Sequence, residues 1–121
     1  MRFARWVFTA AGIYGLICLT PFLFLESRIA APAAQLAHAE YFYGFVWVAI
    51  AFQVVFLLIG RDPVRLRAAM IPAVIEKWPF GVTVLVLWTQ HRVATPVVGF
   101  ACVDLIWGAL FTIAWFRTPK A

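Results

Sequence analysis

Apolar positions along this chain gather into long unbroken runs, separated by short polar breaks, instead of alternating or recurring as a single stripe. The first run extends from Trp6 to Leu25, between Arg2 and Arg5 on one side and Glu26-Ser27-Arg28 on the other. The second, Tyr41 to Gly60, is interrupted only by Gln53, and the last, Val97 to Phe116, carries Asp104 well inside it. An α-helix needs about 20 apolar residues to cross the roughly 30 Å hydrocarbon core of a bilayer, and each of these runs reaches that length. The apolar core of the first run exceeds the roughly 7–15 residues of a signal-peptide core, so a retained helix is expected there. Residues 29–40, Ala-rich with Pro32, read as an interfacial or partly helical connection.

A third span is needed between Gly60 and Val97, and it is awkward. Phe80 to Trp88 is too short to cross, so the helix must begin near Met70, which carries Glu76 and Lys77 into the hydrocarbon or to its inner edge. Nine Leu, Ile, Val and Phe residues over Met70–Trp88 favour insertion by roughly 3–5 kcal/mol, while a Glu and a Lys at mid-span oppose it by roughly 2.5–3.5 kcal/mol each. The two sums nearly cancel, so insertion calls for neighbouring helices or for a Lys77 that reaches the surface. Pro72 and Pro79 are expected to free the carbonyls of Ala68 and Ile75, giving a polar notch beside Glu76 and Lys77. The competing reading is a helix that lies along the interface to about Lys77 and then dives. Before it, Asp62-Pro63 predicts an N-cap and first turn, with Val64 to Ala69 at headgroup level.

Composition agrees: 65% of residues are apolar and 12% charged, far from an ordinary soluble domain. The fold class is therefore all-α, a polytopic membrane protein built as an up-down four-helix bundle, a single domain over 1–121 with spans near 6–25, 41–60, 70–88 and 97–116. Short connections after the second and third spans predict that neighbours in sequence are neighbours in space. Arg2, Arg5, Arg61, Arg65, Arg67, Arg117 and Lys120 fall on one side and Arg28 and Arg92 on the other, so both termini are expected on the cytoplasmic face of the cell's inner (plasma) membrane. Trp6, Tyr41, Tyr43, Trp78, Trp88 and Trp115 read as an aromatic belt, and Ala11 with Gly15 as a small-residue helix contact. The excess of ten Lys and Arg over five Asp and Glu sits at span ends and forms no nucleic-acid face.

The candidate chemistry lies in polar residues at membrane depth. Asp104 stands about 11 Å from the outer end of its helix with no positive neighbour in sequence, and an unpaired carboxyl there is expected to keep its proton. Lys77, counted from the opposite end, falls about one and a half turns short of it. Asp104 tops a stripe of Trp107, Gly108, Phe111 and Trp115, which suits either a flat or cationic lipophile or plain bundle core, with Tyr14 a candidate hydrogen-bond partner. Gln53 and Glu76 lie at similar depth, so a Gln53–Glu76 or Gln53–Lys77 hydrogen bond is within reach. Glu26, His38, Glu40 and His91 make only a weak metal set, since His38 and Glu40 do not share a helix face. Cys18 and Cys102 read as buried apolar thiols. Nothing in the sequence resembles a nucleophilic triad, a phosphate loop or a haem-type histidine pair, so neither an enzyme nor a cofactor is expected.

Residues 40–81, with Tyr43-Gly44, Gln53, the Arg61-to-Arg65 block and the Ile71-to-Lys77 segment, resemble the central block of a bacterial family of small four-span integral membrane proteins. That resemblance implies four spans and carries no assigned activity. The expected function is non-catalytic binding of a lipophilic small molecule or a membrane-protein partner, with Glu76, Lys77 and Gln53 as an inner polar layer and Asp104 with Trp107 as an outer one. The alternatives are a small proton-coupled transporter using Asp104 and Glu76, working as a homodimer, and an accessory subunit of a larger membrane complex.

Overall fold

The computed structural model describes residues 2–24 and 39–120. Its four α-helices are α1 (Arg2–Leu19), α2 (Ala39–Arg61), α3 (Met70–Thr89) and α4 (Thr95–Arg117). A 3-10 segment, Thr20–Phe24, prolongs α1, and another, Arg67–Ala69, leads into α3. With these extensions each of the four is 23 residues long and apolar enough to cross a membrane. The chain is thus a multi-pass, all-α membrane protein.

Contacts along each seam run in opposite senses on the two helices, so the bundle is up-down. On α1 and α2, Gly60 lies against Thr9 and Arg5, whereas Gly12 and Gly15 lie against Gln53. On α3 and α4, Gly81 meets Ala101 and Leu105, and Gly108 meets Lys77 and Trp78. The two pairs join where α1 packs on α4. The close seams are the ones lined by small residues, as expected where no water drives helices together and backbones must approach for dispersion contacts to form. The expectation that α2 and α3 would pack closely is corrected: they touch at few points, among them a Phe45–Phe80 stack at 6.2 Å. A short turn limits distance but does not supply small residues.

Buried positions recur at intervals of three and four. They include Ala4, Phe8, Ala11 and Gly15 on α1, Val46, Ala49, Gln53, Phe56 and Gly60 on α2, with Val7, Gly12 and Ile59 buried beside them, and Met70, Ala73, Lys77, Gly81 and Val84 on α3. That spacing gives each helix one inward stripe. Large aliphatics such as Ile13, Val48, Ile75, Val82, Ile106 and Ile113 point outward, as the lipid-facing side of a membrane span requires. The stripes converge on three rings: Phe8 stacks on Phe111 with centroids 4.2 Å apart, and Phe56 meets Phe111 edge-on at 4.9 Å.

The connections refine the expected boundaries. The N-cap expected at Asp62 is corrected: its Oδ1 accepts the Arg65 amide at 3.3 Å, but this closes only a turn over residues 63–66, and the α-helix begins at Met70 with no side-chain cap. Pro72 then lies in the first turn of α3, where its missing N–H has no helical partner to lose, so the expected Ala68 half of the notch is absent. Only Pro79 is interior and withholds a ladder bond from Ile75. The α3–α4 turn closes on His91 in the left-handed region (φ 57°), with the His91 amide donating to Trp88 at 3.0 Å and the Arg92 amide to Leu87 at 2.9 Å. These two bonds satisfy carbonyls that a helix end otherwise leaves orphaned.

Candidate functional site

Lys77 occupies a position in the inward stripe of α3 that pattern alone would give to an apolar or small residue. Its side chain is almost wholly buried, and its Nζ donates to Asp104 Oδ1 on α4 at 3.3 Å. Glu76 Oε2 stands 3.3 Å from the same ammonium but out of line for a hydrogen bond, which leaves that buried oxygen without a donor among the described residues. The fourth side of the ammonium faces the Phe56 ring of α2, 5.3 Å from its centroid. Glu76, Lys77 and Asp104 thus form one cluster: two carboxylates around one ammonium, backed by an aromatic face.

The expected separation of Lys77 from Asp104 is therefore overturned. Depth counted from opposite membrane faces depends on where each span is assumed to begin, whereas the short α3–α4 turn sets a common origin. From that turn, Lys77 lies twelve residues below Thr89 and Asp104 nine below Thr95. Those offsets, about 18 and about 14 Å, differ by less than the reach of a lysine arm. Gly108 makes the pairing possible, because it lies one turn from Asp104 and a Cβ there would stand 3.3 Å from the Lys77 Cβ and 3.2 Å from the Trp78 ring. Trp78 itself sits mid-helix, its Nε1 donating to Thr112 Oγ1 at 3.2 Å, and so leaves the expected belt.

Gln53 does not join this cluster. Its Nε2 donates to the Ala49 carbonyl at 2.8 Å, one turn back on α2, and its amide packs against Gly15 of α1. A similar count from the span ends does not bring Gln53 to Glu76, because helix phase decides which seam a side chain enters, and Gln53 shares the α1-facing stripe. Its Oε1 is buried with no hydrogen-bond donor among the described residues. Tyr14 packs its ring on Trp107, with centroids 5.9 Å apart, across the α1–α4 seam. Below Asp104 the aromatic stripe serves the bundle: Phe111 is in the three-ring core and Trp115 lies under Arg67. Cys18 is half-buried, and Cys102 is exposed on the outside of α4 instead of buried as expected.

The arginines at the α1 N-terminal end have structural roles that sequence reasoning missed. Arg67 donates Nε to the Thr118 carbonyl at 2.8 Å and Nη2 to the Trp115 carbonyl at 3.1 Å, while its guanidinium lies 3.6 Å over the Trp115 ring. Arg5 Nη1 donates to the Arg61 carbonyl at 2.9 Å. Both cap the C-termini of helices, where orphan carbonyls and the negative dipole end favour a cation. Arg117 lies 4.8 Å over the Phe3 ring. Of the outer metal set, Glu26 and His38 lie outside the described residues and His91 serves the turn. Among the described residues no three metal-ligating side chains gather.

What the arrangement can do follows from its charge count. With both carboxyls ionised, the cluster holds one negative charge more than Lys77 balances, in a setting where an unbalanced charge is expensive. The surplus is relieved by one more cation, either a proton or a positively charged headgroup. No family model, curated protein or solved structure matches this chain.

Proposed function

We propose that this chain is a non-catalytic membrane protein that binds a cationic lipophile at the Glu76–Lys77–Asp104 cluster. The observation that carries the reading is the excess of two carboxylates over one ammonium at membrane depth, together with the unused acceptor on Glu76. An amine-bearing amphiphile supplies the missing positive charge. Both carboxylate side chains keep about a fifth of their surface exposed (22% for Glu76, 19% for Asp104), so the site remains reachable from the lipid phase. Lys77 acts as a tethered counter-ion that holds Asp104 when the ligand is absent. Trp107, one turn from Asp104, and its partner Tyr14 form the neighbouring wall.

The test is native mass spectrometry of the protein released from its own membrane, beside Glu76→Gln and Asp104→Asn. A stoichiometric amine-bearing adduct that disappears in both variants supports the reading. A bare chain, or one carrying only other proteins, refutes it and points to the accessory-subunit role.

The same surplus favours a second reading, a small proton-coupled transporter in which the cluster gives up and regains one proton as substrate passes. Substrate-driven proton flux in liposomes separates the two, and no flux across a panel of cations and weak acids sets the transporter aside. Membership of the bacterial four-span family, and placement in the inner membrane with both termini cytoplasmic, belong to this proposal. Their support is the block at residues 40–81 and the seven-to-two bias of basic residues.

A further inference from the structure

Where α1 begins and α2 ends, Gly60 lets the two helices come together until Thr9 lies against its backbone. Beside that contact a shallow groove runs along the outside of the pair, lined by Thr9, Val54, Leu57, Leu58 and Arg61. Val54 and Leu58 are 45% and 48% exposed, so the groove faces the lipid. Val54, Leu57, Leu58 and Arg61 follow one face of α2 over about 10 Å, with the only charge at one end.

That charged end is doubled. Arg5, one turn before Thr9, is tethered to the Arg61 backbone by its 2.9 Å bond, which brings a second guanidinium to the same end of the helix pair as Arg61. Neither arginine forms an ion pair among the described residues. The adjacent acid, Asp62, turns its Oδ1 to the Arg65 amide at 3.3 Å. Two unpaired guanidinium groups above an apolar channel match a phosphate above an acyl chain, because the planar donor fork of arginine fits phosphate oxygens bidentately.

We propose that this groove is a binding site for an anionic phospholipid, with one acyl chain along Val54, Leu57 and Leu58 and the phosphate between Arg5 and Arg61. A zwitterionic lipid offers the same phosphate but cancels its charge, so the site selects lipids of net negative charge. Each basic residue contributes about five-fold in affinity for such a lipid.

The test is native mass spectrometry of the full chain in mixed micelles with equal dioleoyl phosphatidylglycerol and dioleoyl phosphatidylcholine. The wild type should retain one phosphatidylglycerol in preference to phosphatidylcholine. Arg61→Gln should lower that retention about five-fold, and it leaves the Arg5 tether intact, since Arg5 bonds to the Arg61 backbone. Val54→Trp, which fills the channel without changing charge, should lower retention as well, while Arg65→Gln at the same end should not. Equal retention of the two lipids, an undiminished phosphatidylglycerol signal in Arg61→Gln, or an equal loss in Arg65→Gln overturns the site.

Discussion

Neutralising the two carboxylates around Lys77, singly and together, probes the cluster most sharply. At 3.3 Å and an effective dielectric constant of about 20, each ammonium–carboxylate contact contributes about 5 kcal/mol of Coulomb attraction, and desolvation of the ions returns several kcal/mol of it. Glu76→Gln leaves Lys77 and its hydrogen-bonded Asp104 balanced one to one, and should cost less than about 1 kcal/mol. Asp104→Asn leaves Lys77 with Glu76, the partner lacking hydrogen-bond geometry, and should cost about 1 kcal/mol. The double variant strands a buried ammonium with only amide oxygens, for which about 3–5 kcal/mol is expected. The pair should therefore exceed the sum of its parts by about 2 kcal/mol. Adding Lys77→Met to the double variant removes the stranded charge and should restore stability to within about 1 kcal/mol of the wild type. Unfolding in bicelles by a titrated denaturing detergent, followed through the six tryptophans, measures each value. If the double variant equals the sum of the singles within about 0.5 kcal/mol, Lys77 reaches water by another route and the cluster does not hold α3 on α4.

A Cβ on Gly15 would overlap the Gln53 amide, so Gly15→Ala should destabilise the α1–α2 seam by about 1–3 kcal/mol, and Gln53→Ala in the same chain should recover most of that loss. Arg67→Ala removes the cap on α4 and the stacking on Trp115; it should cost about 1–3 kcal/mol by the same unfolding assay, while Arg65→Ala, exposed and in no ion pair among the described residues, stays within about 0.5 kcal/mol. His91→Gly relieves a left-handed residue at the α3–α4 turn and should stabilise by about 0.5–1 kcal/mol, with no change in helix content by circular dichroism. A reporter enzyme active only outside the cytoplasmic membrane, fused after Lys120, should stay silent; activity there would reverse the orientation.

The sequence by itself determined the class, the number of helices and most of their limits. Run length and hydropathy are local properties, and a bilayer punishes any unpaired backbone, so a 20-residue apolar run leaves little choice but a helix. The start of α3 near Met70 followed from the same length requirement. It also exposed the residues a membrane resists, Glu76, Lys77 and Asp104, because their cost is independent of partners.

Which of these residues meet was decided only by the tertiary structure. Gln53 and Glu76, counted to similar depth along the chain, enter different seams because helix phase sets which neighbour a side chain meets. Lys77 and Asp104, counted to different depths, meet because the short turn after α3 sets their register and Gly108 lets the helices close. Arg67 looked like any headgroup arginine until α4 ended beside it. The aromatic stripe under Asp104 suited a ligand or a core equally well until Phe8 and Phe56 arrived from two other helices to fill the space. Helix formation is settled within a few residues, whereas pairing depends on phase, register and the size of side chains on a facing helix distant in sequence.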